Sequence, residues 1–262
     1  MHIDKRFLML AAGMTLAATP AWAQNATPTA TADKVEAGEN AAVDTTAKPE
    51  AEAPKGAFDL SIGFAAVSDY RFRGISLSDK KAAVQPSITL THKSGFHIGA
   101  WGSNITPNDG DDIELDLVAG YGTTVGPITF DVNATRYIYP GVQGIDYWEI
   151  IGTASHEFGP VTIGGTFAYT PKQGDAAPKR GLYYAINGAV AIPKTPLTAT
   201  ASFGIEDNGF YSNKRDWSVG LAAAVAGFSV GAAWVDTGHV NGDPLGKGRA
   251  VFSISRTFDL NF

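Results

Sequence analysis

The chain has no cysteine, which excludes a disulfide framework and any thiolate metal site. Charge is sparse: Asp, Glu, Lys and Arg together make 18% of the 262 residues, with a formal net charge of −6. No basic run offers a footprint for nucleic acid. Long hydrophobic stretches are also scarce. The one apolar run, from about Phe7 to Ala18, is too short to span a bilayer stably as a helix, and none follows it. A mean hydropathy of −0.03 is far below that of a helical membrane protein. What is abundant is glycine, at 30 residues, and aromatics, at 11%. That mixture suits strands that are apolar on one face only, whether in a membrane barrel or a soluble sandwich.

The N-terminus has the three-part layout of a secretory signal peptide. Lys5 and Arg6 precede the apolar run, and Ala21-Trp22-Ala23 offers a small-residue cleavage site, so residues 1–23 are expected to be removed after Ala23. Residues 24–56 are built mainly from Ala, Thr, Pro, Glu, Asp and Lys, with no aromatic and only two larger aliphatics, Val35 and Val43. Such a segment cannot bury enough surface to offset its ordering entropy, and the expectation is a disordered periplasmic tether.

From residue 57 onward the period is two. Phe58, Leu60, Ile62, Phe64, Ala66, Tyr70 and Phe72 share one parity, and Asp59, Ser61, Gly63, Asp69, Arg71 and Arg73 the other. Side chains alternate across a strand, so one face is apolar and the other polar and small. Read continuously, this first strand runs about fifteen residues, beyond the usual globular length. The pattern recurs through twelve segments, the last from Ala250 to Phe262. Tight turns at Lys93-Ser94-Gly95, Val125-Gly126-Pro127, Phe158-Gly159-Pro160, 193–196 and Ala226-Gly227 alternate with longer polar stretches at 73–80, 106–112, 139–146, 170–181, 207–215 and 237–248. An even number of strands with connections alternately short and long predicts an all-β, transmembrane, antiparallel up-and-down β-barrel of 12 strands over 57–262, with short periplasmic turns and longer extracellular loops.

The final segment alternates Phe252, Ile254, Phe258, Leu260 and Phe262. A terminal aromatic in that pattern resembles the signal that outer-membrane barrels present to their assembly machinery. Arg256 interrupts it with lipid-facing parity, at a cost of about 2–4 kcal/mol at mid-membrane unless a bulge turns it inward.

The segment Ser68-Asp69-Tyr70-Arg71-Phe72-Arg73-Gly74-Ile75-Ser76 resembles the opening motif of the TorF-type porin family. The likeness continues in His92-Lys93-Ser94-Gly95-Phe96, Trp101-Gly102-Ser103-Asn104, Tyr121-Gly122 and Tyr139-Pro140-Gly141, and covers about residues 57–262. Leu77 stands where that family often has Gln. The resemblance implies a bacterial outer-membrane location and a porin-like role, with no substrate attached.

Asp69, Arg71, Arg73, Glu114, Asp116, Glu149, Glu206 and Asp216 have lumen parity toward the predicted outer strand ends. Opposed charges there can filter solutes at a constriction, or can merely neutralise a crowded interior. Arg71 and Arg73, two apart on one strand, are expected to point the same way, as are Glu114 and Asp116. Acids outnumber bases, so selectivity would lean towards cations. Tyr70, Phe72, Tyr137, Tyr139, Tyr147, Trp148, Tyr169 and Trp217 are expected to form an interface girdle. The acidic stretch from Thr106 to Asp112 lacks the spacing of a calcium loop and is expected to be a solvated surface loop. The mature chain has only His92, His97, His156 and His239, none in a motif that can be placed with Ser and Asp; His156 cannot pair simply with its neighbour Ser155, since adjacent strand residues face opposite ways. The expectation is a cofactor-free channel for passive diffusion of small hydrophilic solutes, with outer-membrane lipid, the assembly machinery and those solutes as partners. The alternatives are a structural or adhesive barrel with an occluded lumen and, behind both, a barrel enzyme.

Overall fold

The computed structural model describes residues 56–106 and 112–262. The expected signal peptide, nearly all of the expected tether and most of the acidic stretch lie outside the described residues.

Alternating apolar and polar residues pair into a closed antiparallel barrel of twelve strands. These are β1 (Phe58–Val67), β4 (Ala83–His92), β5 (Phe96–Asn104), β6 (Ile113–Val125), β7 (Ile128–Ile138), β8 (Tyr147–Phe158), β9 (Val161–Thr170), β10 (Gly181–Ala191), β11 (Leu197–Asp207), β12 (Lys214–Val225), β13 (Phe228–Gly238) and β14 (Arg249–Asn261). Each neighbours the next in sequence, and β1 closes the ring by pairing with both β4 and β14. The closing register sets Leu60 opposite Leu260, Ile62 opposite Phe258 and Phe64 opposite Arg256. Beyond the last ladder pair, Phe58 and Phe262 exchange backbone hydrogen bonds of 3.0 Å. Closure leaves no strand edge unpaired, the condition for crossing hydrocarbon with strands.

The apolar parity faces outward. Phe64, Ile98, Val132, Phe203, Leu221 and Phe252 are all exposed, although large and apolar. A soluble barrel would bury that set, so this face requires an apolar surround. The opposite parity faces the lumen. In the half nearer the short turns it is small and polar, with Ser61, Thr89, Asn133, Thr166, Ser202 and Ser253 partly exposed. The short turns tighten on residues with positive φ, such as Gly126, Gly159 and the pair Ala226-Gly227.

The first strand is shorter than its alternation suggests. β1 ends at Val67, and Ser68 seals the end by bonding Phe252 through its backbone N–H and its hydroxyl, both at 2.9 Å. The chain then turns into the lumen, where β2 (Arg71–Phe72) and β3 (Ile75–Ser76) form a miniature hairpin. Its two-residue loop is Arg73-Gly74, with φ of 42° and 84°. Both central residues of a type I′ turn need positive φ, a conformation cheap for Gly and uncommon for Arg. Asp69, Arg71 and Arg73 are therefore not on β1 at all.

Two further expectations change. Tyr70, Phe72, Tyr137, Tyr139 and Tyr147 are buried inside the barrel and form no girdle; Trp148, Tyr169 and Trp217 do face outward. Tyr137 and Tyr147 have the parity opposite to their outward neighbours Arg136 and Trp148, while Tyr70 and Phe72 left the wall with the hairpin. Arg256 is not turned inward by a bulge. It keeps its place opposite Phe64 and lays its guanidinium over the rings of Phe258 and Phe228, 4.8 and 5.2 Å from their centres. There it lies beside Gly227, at the short turn between β12 and β13, so the aliphatic stem covers apolar surface while the charge reaches the rim.

Candidate functional site: a charged hairpin across the lumen

The inward segment from Ser68 to Ala82 braces itself first. The Asp69 carboxylate accepts from Arg71 Nε at 2.8 Å and from the Ser76 hydroxyl at 2.5 Å. The Ser78 hydroxyl accepts from the Tyr70 N–H at 2.9 Å, and the Leu77 N–H donates to the Tyr70 carbonyl at 2.8 Å. Tyr70, Phe72, Ile75 and Leu77 are buried, each contributing about 1.5–3 kcal/mol by removal from water. Tyr70, Phe72 and Leu77 pack with Trp101, Ile105, Tyr137, Tyr139, Val142, Ile145 and Tyr147 into an apolar cluster at the long-loop end of the lumen.

Arg73, at the hairpin tip, reaches across the barrel. Its Nη1 lies 2.7 Å from Glu206 on β11, and its Nη2 2.9 Å from Glu149 on β8. Round the ring from β1, β8 is reached after β4, β5, β6 and β7, and β11 after β14, β13 and β12. The hairpin springs from one wall and its charge is held by the opposite one. The guanidinium also stacks 4.0 Å from the centre of the Tyr183 ring. Lys214, on β12, completes the lattice: its Nζ donates to the Arg73 carbonyl at 2.6 Å and lies 2.9 Å from Glu206 and 3.6 Å from Asp216. Thr170 and Tyr137 donate to Glu149 at 2.7 and 3.3 Å, and Tyr183 to Asp216 at 3.1 Å.

All eight charged residues singled out from sequence are buried in this layer, with exposures between 0 and 7%. Their pairing differs from the simple picture of facing rows. Arg71 and Arg73 diverge: Arg71 turns back to Asp69 and donates to the carbonyls of Gly74 and Lys247 at 3.0 and 2.8 Å, while only Arg73 reaches the far wall. Glu114 and Asp116 stand among tyrosines, close to Tyr70 and Tyr139. Tyr139 donates to Glu114 at 3.3 Å. Burial, and after it the Glu114 charge, pushes the Tyr70 and Tyr139 hydroxyls well above the ordinary phenol value, so both stay protonated and able to donate. Sequence reading missed Lys214 by assigning it to a loop, although it shares the parity of Asp216. It also missed Tyr183 and Thr170, which carry no charge to flag them.

At this level, inward side chains on every strand from β4 round to β12 are buried. On β13, β14 and β1 the inward Val235, Thr237, Arg249, Val251 and Val67 are only partly buried. The hairpin thus fills the lumen off-centre.

The sequence model of a family described as "Bacterial protein of unknown function (Gcw_chp)" matches residues 50–258. The chain belongs to this family. The TorF-type resemblance remains a likeness of motifs beside it. No curated protein matches the chain by sequence. Among solved structures it is similar to the KdgM porin, at 9% identity and a TM-score of 0.52, covering 76% of this chain and 99% of that one. A second KdgM structure, in complex with disordered oligogalacturonate, superposes at 9% identity and a TM-score of 0.51, with the same coverage of 76% and 99%. The NanC porin matches at 8% identity with a TM-score of 0.48, covering 77% of this chain and 98% of that one. What the KdgM structures share with this chain is the closed barrel fold.

Proposed function

We propose that the protein is a bacterial outer-membrane channel for passive diffusion of small hydrophilic solutes, with the Ser68–Ala82 hairpin as its constriction and no cofactor. The observation that carries the reading is the lumen itself: a polar lining beneath a charged hairpin whose contacts with the far wall are ionic and hydrogen-bonded. A barrel acting only as an anchor has no need of a solvent-reached polar interior. The outward apolar belt supports the location, with lipid as its partner, and the alternating apolar residues Phe258, Leu260 and Phe262 along the last strand support recognition by the assembly machinery. In this reading residues 1–23 are the export signal, and a mild cation preference follows from the excess of lumen acids. The solute passes along the partly buried side, β13–β14–β1. One KdgM structure contains an oligogalacturonate; at 9% identity that ligand is not carried over, and the solute is specified here only as small and hydrophilic.

The second reading, a structural or adhesive barrel with an occluded lumen, is favoured by one observation, the burial of inward side chains from β4 round to β12. Planar-bilayer recordings separate the two. The channel reading expects discrete conductance steps for the folded wild type, larger steps for Arg73→Ala, and a reversal potential in a salt gradient that shifts toward cations when Arg71 and Arg73 are both replaced by Ala. Silence of the wild type and of both variants in folded barrels overturns it and leaves the occluded barrel.

A further inference from the structure

Among the cations that hairpin and wall present to the lumen, one has no acid beside it. Arg71, Arg73 and Lys214 are buried, and each lies in an ion pair. Arg249, the first residue of β14, is only partly buried, and among the described residues it forms no ion pair. Its Nη1 donates to the Lys80 carbonyl, on the limb returning from the hairpin, at 2.9 Å. That bond holds the guanidinium between wall and hairpin and leaves most of its N–H donors unused.

The guanidinium lies on the side where the lumen is least filled, and its neighbours there are apolar. Val235 stands directly opposite Arg249 in the β13–β14 ladder, so the two side chains share the inward face. Val251 follows two residues on along β14 and points the same way. Val67 pairs with Ser253, which sets it diagonal to Val251. All three valines are only partly buried, so a passing solute reaches them as well as the charge. The acids that hold the other cations, Asp69, Glu149, Glu206 and Asp216, are buried and act on such a solute only through their field. Beside apolar walls the attraction between a guanidinium and an anion is stronger than in open water.

We propose that Arg249, with Val67, Val235 and Val251, forms a subsite that passes short aliphatic monocarboxylates through the constriction, an inference that rests on the channel reading above. The planar fork of the guanidinium matches the two oxygens of a carboxylate. The valines suit a short hydrocarbon skeleton and offer nothing to a chain of hydroxyls. The acid-rich layer repels a doubly charged anion more than a singly charged one, which favours a monoanion. One guanidinium without a second cation holds its ligand loosely enough to release it, as conduction requires. The overall field still draws small cations, and one of them accompanies each acid as its counter-ion.

The test uses full-length folded barrels in planar bilayers, with NaCl on one side and an equal concentration of sodium butyrate, gluconate or methanesulfonate on the other. With sodium common to both sides, the reversal potential reports how well each anion permeates relative to chloride. For the wild type, butyrate should permeate better than chloride although it is larger, and gluconate and methanesulfonate worse. In R249Q the butyrate ratio should fall about threefold or more, as expected when a charge-assisted bidentate contact is lost. R249K keeps the charge but not the fork and should lose about half of the preference; it carries the test if R249Q lacks heat-modifiable migration. V251S should narrow the gap between butyrate and gluconate. Anions ordered by size alone in the wild type, or a butyrate ratio unchanged in both arginine variants, overturn the subsite and leave the channel standing. Methanesulfonate permeating as well as butyrate overturns the choice of carboxylate, and an unchanged gap in V251S overturns the choice of an aliphatic skeleton. A silent wild type overturns the channel reading, and the subsite falls with it.

Discussion

Arg73 is held at a backbone angle few arginines adopt, and the contacts of its side chain explain why the position tolerates it. Its guanidinium forks between Glu149 and Glu206 and stacks on Tyr183, geometry that a planar group with rigidly placed donors can meet and an ammonium cannot. Truncation leaves two buried carboxylates short of their countercharge, a defect worth about 3–5 kcal/mol when one partner of a buried pair is removed. Arg73→Ala should lower the free energy of unfolding of the folded barrel in urea by that amount, and Arg73→Lys should recover only part of it. An unchanged midpoint for Arg73→Ala would mean the hairpin is held by its apolar residues alone. Arg256 is the opposite case, a charge on the lipid side whose guanidinium escapes toward the rim. Near an interface the cost of such a charge falls to about 0–1 kcal/mol, so the expensive mid-membrane placement suggested by its spacing does not arise.

In the proposed channel the hairpin is the constricting element, and it is where sequence and structure part. The twelve wall segments and their alternating connections were legible because side-chain parity is a direct consequence of the pleat. The same alternation misled at Asp69-Tyr70-Arg71-Phe72-Arg73, since a hairpin in the lumen and a strand in the wall share a period of two. The stop was written in Arg73-Gly74, a two-residue loop between strand-like flanks, but one such dipeptide is weaker evidence than five alternating residues. Once the chain turns inward, partners such as Lys214 follow from three-dimensional closure and no local pattern encodes them. The off-centre filling of the lumen has a testable consequence, made clean by the absence of cysteine. A single cysteine at Val251, on the partly buried side, should react with a charged thiol reagent in the folded barrel and reduce conductance. One at Thr135, fully buried on the filled side, should not react. The reverse pattern would move the passage to the other wall.

At the scale of the whole molecule the barrel has two unlike ends. One gathers the tight turns and the Phe58–Phe262 closure; the other gathers every long connection and the apolar cluster that caps the hairpin. A polar loop has to cross the hydrocarbon when the barrel inserts, and short turns cross far more easily than long ones. The expected end state leaves the turns in the periplasm, where the chain arrives, and the long loops outside. Two exposed sites report on this orientation. Gly174 and Asp175 lie in the β9–β10 connection, ahead of the buried Ala176 and Ala177, so a short epitope between them should leave the packing intact. Lys194 and Thr195 lie in the β10–β11 turn. In intact cells the first epitope should be stained by antibody and cut by added protease. The second should become reactive only after the outer membrane is permeabilised. Both insertions must keep heat-modifiable migration for the comparison to count. Staining of the second epitope alone would invert the barrel, set the charged hairpin at the periplasmic mouth and refute the expected orientation.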